Sequence, residues 1–375
     1  MKTRFAIQRI CIWMLLLLLG AVVVGCLGYA PTIAPSVTPA TAPTALPSTA
    51  MVSTAYWPTN GWRTSTPEEQ GMDAQKLAAM LDSVKQQKLD LHSLLVIRNG
   101  YLVSESYFGS HRQDTKHELY SCTKSFVSTL VGIAIDKGYI DSVNRPVKDF
   151  FPGRAYANPS ADKDAMTLDN LLTMTTGLDW VEGDAAYAKM YTSGDWVKFV
   201  MDEAESHKPG TVFNYCSGCS HVLSAIVQSK AGMNTRDFAQ RELFGPLGIA
   251  NYSWDADSQG LSIGGWGLQL APRDMAKLGY LYLNDGMWDG KQIVSSQWVK
   301  TATQKHTGTD SQLGYGYQWW TYPSLDAYTA LGLYGQTIFV IPKLNLVVVT
   351  TAALKNHDEI FKLIENYVVP AAQKP

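Results

Sequence analysis

Two β-rich runs, Ser93 to Arg98 and Tyr101 to Phe108, alternate around Asn99-Gly100. Period two sends successive side chains to opposite faces of a sheet, and Asn-Gly suits the positive φ angles of a tight turn, so the pair predicts a β-hairpin. Helical spacing then takes over, over roughly 121–136, 168–175, 194–205, 218–231, 235–244 and 272–284. Strands return from about 314 to 350, and a last helix is predicted over about 357–368. Within that return, Thr337 to Ile341 and Leu346 to Thr350 flank a Pro342-Lys343-Leu344-Asn345 turn and predict a second antiparallel hairpin. Strand groups at both ends of a helical block imply an α+β fold, in which one antiparallel sheet built from both chain ends carries an inserted helical subdomain. Clefts form at such junctions.

The amino-terminal segment follows other rules. Lys2, Arg4 and Arg9 precede an apolar run from Ile10 to Val24, the pattern of a secretory signal. It closes on Val23-Val24-Gly25-Cys26, which resembles a bacterial lipobox and makes Cys26 a candidate for lipidation. An uncleaved membrane anchor is the other reading, since the run is long enough to span. Residues 27–56 are rich in Pro, Thr and Ala and predict an extended tether, leaving 57–375 as the folded domain. Both readings place that domain outside the cytoplasm on a membrane. Net charge is -2 and charged residues make up 17%, so the chain has no overall pull towards nucleic acid. Hydrophobic residues at 46%, with 11 Trp and 19 Tyr, exclude a disordered chain and suit an enzyme with a lined cleft.

Candidate chemistry centres on Ser121-Cys122-Thr123-Lys124 at the head of the most apolar helix pattern. Positions i and i+3 share a helix face, so the amine leans over the hydroxyl. A buried lysine loses part of its affinity for a proton, and a neutral amine can serve as the base that a seryl nucleophile needs. A second element is Phe213-Asn214-Tyr215-Cys216-Ser217, where Tyr215 and Ser217, two apart, can face one cavity. A third is Gly332-Leu333-Tyr334-Gly335-Gln336, opening the second hairpin; glycine at 335 permits close approach to the backbone, and the next amide can donate to an oxyanion.

In this order and spacing the three elements resemble the serine β-lactamase and penicillin-binding-protein superfamily. Within it they are similar to the class C-related esterase branch, and most of all to the 6-aminohexanoate-dimer (nylon oligomer) hydrolases, where Tyr-Cys-Ser stands for the Tyr-x-Asn of class C β-lactamases. Leu168 to Leu178, Pro246 to Ile249 and Ala271 to Gly279 fit as well. The resemblance implies a β-lactamase/transpeptidase-like fold and a serine hydrolase cleaving a small-molecule amide or ester. Ser121 would be acylated, Lys124 would take its proton, Tyr215 would act as acid and base, and the backbone amides of Ser121 and Gln336 would form the oxyanion hole. Ser217, Tyr334, Gly335, Trp180 and Tyr187 would contact substrate. Leu333-Tyr334-Gly335 departs from the Lys-Thr-Gly of class C enzymes and the His-x-Gly of many esterases. That departure argues against the alternative of a D,D-peptidase or β-lactamase; a non-catalytic envelope binding module is the outsider.

Other patterns carry less. Gly260-Leu261-Ser262-Ile263-Gly264 matches a nucleophile elbow but has no strand leading in. His221 falls on the helix after Tyr215, where packing is expected. Trp180, Tyr187, Tyr191 and Trp196 either line a cleft or pack a loop-rich stretch. No cofactor or metal is expected, Cys216-x-x-Cys219 lacking a second ligand pair. Cys122 could pair with Cys216 or Cys219 in an oxidising compartment, or remain free.

Overall fold

The computed structural model describes residues 56–309 and 311–373. The expectations for residues 1–26, Cys26 included, and for 27–55 of the tether lie outside the described residues.

An eight-stranded sheet organises the fold. Its strands are β1 (Leu91–Arg98), β2 (Tyr101–Tyr107), β3 (Thr307–Gly308), β4 (Gly314–Tyr315), β5 (Trp320–Tyr322), β6 (Ala327–Gly332), β7 (Gln336–Ile341) and β8 (Leu346–Ala352). They run in the order β2-β1-β8-β7-β6-β5-β4-β3, every pair antiparallel, so β1 from one chain end lies against β8 from the other. Asn99 (φ 53°) and Gly100 (φ 78°) both take positive φ in the first turn, as a type I′ hairpin requires.

Alternation sorts the central strands between two cores. Leu95, Ile97, Ile338, Val340, Val347 and Val349 face the helical side. Leu94, Val96, Phe339, Ile341, Leu346 and Val348 face the opposite layer. Both faces are covered, so these strands read as continuous apolar runs rather than half-polar ones. The outer layer is α1 (Ala74–Gln86), capped by Asp73, together with the carboxy-terminal helical segment from Asp358 to Ala372.

On the inner face lies α2 (Thr123–Asp136), buried from Thr123 to Ala134. Against it packs α3 (Ser217–Ala231), and α4 (Pro272–Leu283) lies on the sheet beneath β7 and β8. Gly132 and Gly279 allow these contacts: a Cβ at 132 would sit 2.5 Å from the Trp298 ring, and one at 279 would sit 2.7 Å from Val347 Cγ1. Gln318 joins the inserted subdomain to the core. Its amide nitrogen donates to Leu171 and Leu172 O at 3.0 Å, its side-chain oxygen accepts from Ser220 at 2.7 Å, and its carbonyl accepts from Ser125 at 2.7 Å.

Several predicted boundaries move. Ser121 sits in a 3-10 turn (Tyr120–Cys122) before α2 begins, not in the helix itself. The helix expected over 168–175 stops at Leu172, because Met174 turns to φ 60°. The helix expected over 235–244 passes at Gln240 into a π turn. The stretch expected to be loop-rich contains a helix from Asp184 to Thr192. Helices Ala74–Gln86 and Ser296–Thr303 add to the predicted set. Among the described residues, no helix is long and apolar enough to cross a membrane.

Candidate active site

Ser121 is presented by a turn under tension. Tyr120, just before it, takes φ 46°, a left-handed conformation unusual for a bulky residue. The Glu118 carboxylate holds the turn by accepting from the backbone amides of Tyr120 at 3.1 Å and Gly267 at 2.7 Å. Burial raises the Glu118 pKa, while those two amides favour the carboxylate. Cys122 points into the core and its thiol donates to Gln336 O at 3.3 Å, which lays the start of β7 beside the serine. Burial pushes the Cys122 thiol up, so it stays a thiol.

One helical turn on, Lys124 is 1% exposed. Its ammonium nitrogen donates to Ser121 Oγ at 2.9 Å, Ser217 Oγ at 2.8 Å and the Gly265 carbonyl at 2.9 Å. Desolvation pulls its pKa down from 10.5 to about 8, against a smaller opposing pull from Glu182. A measurable fraction of free amine at neutral pH follows.

Tyr215 precedes α3, and its ring lies 4.8 Å from Lys124 Nζ and stacks on Trp320 at 5.7 Å. Its hydroxyl shares a hydrogen bond with Ser121. Burial drives the phenol pKa far upward and that hydrogen bond offsets only part, so the group is a proton donor at neutral pH, not a phenolate. Asn214 fixes the approach of this segment by donating to the carbonyls of Leu178 at 3.1 Å and Trp180 at 2.9 Å.

Glu182 completes the network and was missed from sequence. Its carboxylate accepts from Ser217 N at 3.0 Å, from Trp180 Nε1 at 2.6 Å, and from the hydroxyls of Ser217 and Tyr187. Ser217 therefore links Lys124 to Glu182. The aromatic stretch around Trp180 leaves cleft lining and loop packing both open in the sequence, and a lone acid within it has no spacing that marks it. The Gly265 carbonyl gave no signal at all, since any residue supplies one.

A cleft of about 970 Å³ opens over Ser121, lined among others by Glu182, Tyr187, Tyr215, Trp320 and Leu333. Its far wall comes from the carboxy-terminal segment, including His357, Asp358, Phe361, Lys362 and Glu365. Of the residues expected at substrate, Tyr187 lines this cleft and Ser217 lies directly behind it in the Lys124 network. Trp180 is buried behind Glu182. Tyr334 lies instead on a second cavity, with its ring edge-on to Tyr120. Gly335 is also away from the cleft. At φ 93° its missing Cβ would point to Ile360 Cδ1 at 2.9 Å, so the glycine answers a backbone angle and the packing of the last helix. The Gln336 side chain is engaged with Leu333 O and both backbone groups of Ala352, which leaves its main chain to face the turn bearing Ser121, where its carbonyl accepts from Cys122. His221 is fully buried and pairs with Asp257 at 3.1 Å, and Ser262 bonds Asn234 at 2.8 Å. Cys216 and Cys219 form a disulfide across the first turn of α3 and Cys122 is free.

The family profile for Beta-lactamase matches residues 69–365. The chain belongs to the Beta-lactamase family. It is 25% identical over 321 residues to the 6-aminohexanoate-dimer hydrolase of Paenarthrobacter ureafaciens, covering 78% of this chain and 81% of that protein. Among solved structures it is similar to a Bacillus anthracis protein provisionally named a 6-aminohexanoate-dimer hydrolase, with TM-score 0.68 and 22% identity over 77% of this chain and 81% of that one. It is similar also to a family VIII carboxylesterase, with TM-score 0.66 and 17% identity over 82% and 98%. The fold is that of β-lactamases and transpeptidases, as the resemblance implied, and this member of the Beta-lactamase family is a serine hydrolase.

Proposed function

We propose that the protein cleaves linear amides or esters through an acyl-enzyme on Ser121, in the manner of an oligo-amide hydrolase or esterase. The observation that carries this is the 2.9 Å contact between Ser121 Oγ and a lysine whose burial brings it to about 8. The neutral amine of Lys124 takes the hydroxyl proton as Oγ bonds to the substrate carbonyl carbon. Charge gathering on the carbonyl oxygen is met by the backbone amides of Ser121 and Gln336. Tyr215 gives its proton to the departing amine or alcohol and recovers one from the Lys124 ammonium. Deacylation repeats the sequence with water as the nucleophile.

The cleft supports a substrate without a carboxylate. Leu333 occupies the place where related enzymes carry a cation or imidazole, and it is 53% exposed. Three acids, Glu182, Asp358 and Glu365, line the cleft against one lysine, Lys362, an excess of two negative charges that favours a substrate bearing an ammonium group. Burial lowers the pKa of His357 on the same wall, so it adds no cation at neutral pH. The amino-terminal sequence supports a lipid tether at Cys26 and an extracytoplasmic location. The Cys216–Cys219 disulfide suits an oxidising compartment.

A fluorophosphonate probe should label the wild type and leave Ser121→Ala unlabelled. Turnover of p-nitrophenyl esters, nitrocefin and linear ω-amino-acid amides then divides the substrate classes: ester and amide turnover is expected, and nitrocefin turnover exceeding both by orders of magnitude would overturn the choice. Metabolic labelling with palmitate, lost in Cys26→Ser, tests the tether.

A further inference from the structure

Three histidines converge behind the nucleophile turn, outside the cleft. His92 lies near the start of β1 at a register shift in its pairing with β8, His111 on the turn after β2, and His117 on a two-residue strand (His117–Glu118) that runs into the turn bearing Ser121. Backbone hydrogen bonds hold the group together: Phe108 N donates to His92 O at 3.0 Å, and His111 N donates to Phe108 O at 3.1 Å. Ring centroids are 3.9 Å apart for His92 and His111, 5.2 Å for His92 and His117, and 5.0 Å for His111 and His117. One nitrogen from each ring lies within 4.8 Å of the other two.

The arrangement is unfinished without a ligand. His92 Nδ1 and His117 Nε2 are both shielded from solvent and have no hydrogen-bond partner among the described residues. Such nitrogens are ordinarily satisfied. A cavity of about 340 Å³ opens beside them, lined by His92, His117, Glu118, Tyr120, Tyr334 and Gln336, among others. The Asp90 carboxylate stands 3.7 Å from His92 Nε2, beyond hydrogen-bond length, and a small closure would let it orient that imidazole on a bound ion.

The geometry points to an accessory metal site in which His92, His111 and His117 hold one divalent borderline cation of the zinc class, with the cavity side left for water or a fourth donor. Imidazole is the donor such ions favour over magnesium or calcium. Zn–N bonds of about 2.0–2.1 Å at the tetrahedral angle require nitrogens about 3.4 Å apart, so the rings close in by at most about 1.5 Å on binding. A bound ion would staple the turn after β2 to β1 and to the strand leading into Tyr120. Nothing in this site depends on the serine chemistry.

The test uses the full chain, stripped with EDTA and titrated with Zn²⁺ by calorimetry, and with Co²⁺ by its visible absorption. One equivalent should bind, with a rise in melting temperature, and His111→Gln and His117→Gln should each weaken Zn²⁺ binding by at least about 100-fold. His111 lies on a surface turn, so the metal-free melt of His111→Gln should match that of the wild type and exclude misfolding as the cause. Ser121→Ala should bind zinc as the wild type does. Absence of stoichiometric binding, or zinc affinity that survives the double variant His111→Gln with His117→Gln, would overturn the assignment.

Discussion

Replacing Glu182 with glutamine should shift the pH profile in a direction set by the network. The proposed base is the free amine of Lys124, pushed down to about 8. Below that pH, kcat/KM should climb about tenfold per unit, then level off above it. At pH 7 about a tenth of the molecules carry the free amine, whereas an unperturbed lysine would offer roughly one in 2,500. Glu182 opposes the burial effect, since its negative charge favours the ammonium. It reaches Lys124 through Ser217, two hydrogen bonds in series, so its nearer oxygen lies no more than about 5 Å from the ammonium. At that separation the attraction is about 0.8 kcal/mol in a water-like medium and about 3 kcal/mol in a protein-like one. Glu182 is exposed to the cleft, so the lower figure applies, equivalent to about half a pKa unit. Glutamine keeps an oxygen for Ser217 to bond while removing the charge. The acidic limb should therefore move about half a unit to lower pH, read from kcat/KM on a p-nitrophenyl ester between pH 5.5 and 9 at constant ionic strength. A limb that stays in place or moves upward, with Ser121 still labelled, would refute the network. A wild-type limb near 10.5 would refute the base assignment itself.

Lys124→Ala should lower kcat/KM by about 10²–10⁴-fold, the usual worth of a positioned base, with Ser121 labelling slowed in parallel. Tyr215→Phe keeps the ring that stacks on Trp320 and removes only the proton donor, so kcat should fall by a similar factor while KM changes little; a large KM effect would argue for a binding role. Gly132→Ala puts a methyl 2.5 Å from the Trp298 ring and should cost about 1–3 kcal/mol, visible as a lower melting temperature with kcat preserved in the folded fraction. Asp358→Asn together with Glu365→Gln should weaken binding of ammonium-bearing amides relative to neutral esters, measured as the ratio of their kcat/KM values, because the acidic excess of the cleft is then removed.

What the chain declared by itself was local. Ser121 and Lys124 are three residues apart, so their contact needs only one helical turn, and it survives the finding that the turn holding Ser121 is 3-10 rather than α. Asn99-Gly100 carries its own turn angles, and the Pro342 to Asn345 turn does likewise. Burial of Lys124 was legible because the segment after it is apolar on every side. Helix Ala74–Gln86 is also written in the chain, with Leu77, Met80 and Val84 along one face and Asp73 as its cap. Only the tertiary structure decided the rest. The acid at 182, the Gly265 carbonyl and the far wall from residues 356–365 join the Lys124 network or the cleft from segments remote in sequence, and sequence spacing carries no record of such approaches. Gly335 looked like an opening for substrate and is a packing site under the last helix, because the direction of a missing Cβ is set by the backbone around it. The three histidines at 92, 111 and 117 share no motif; a strand of the large sheet, the turn after β2 and a short strand paired antiparallel with residues 268–270 bring them within reach of one ion.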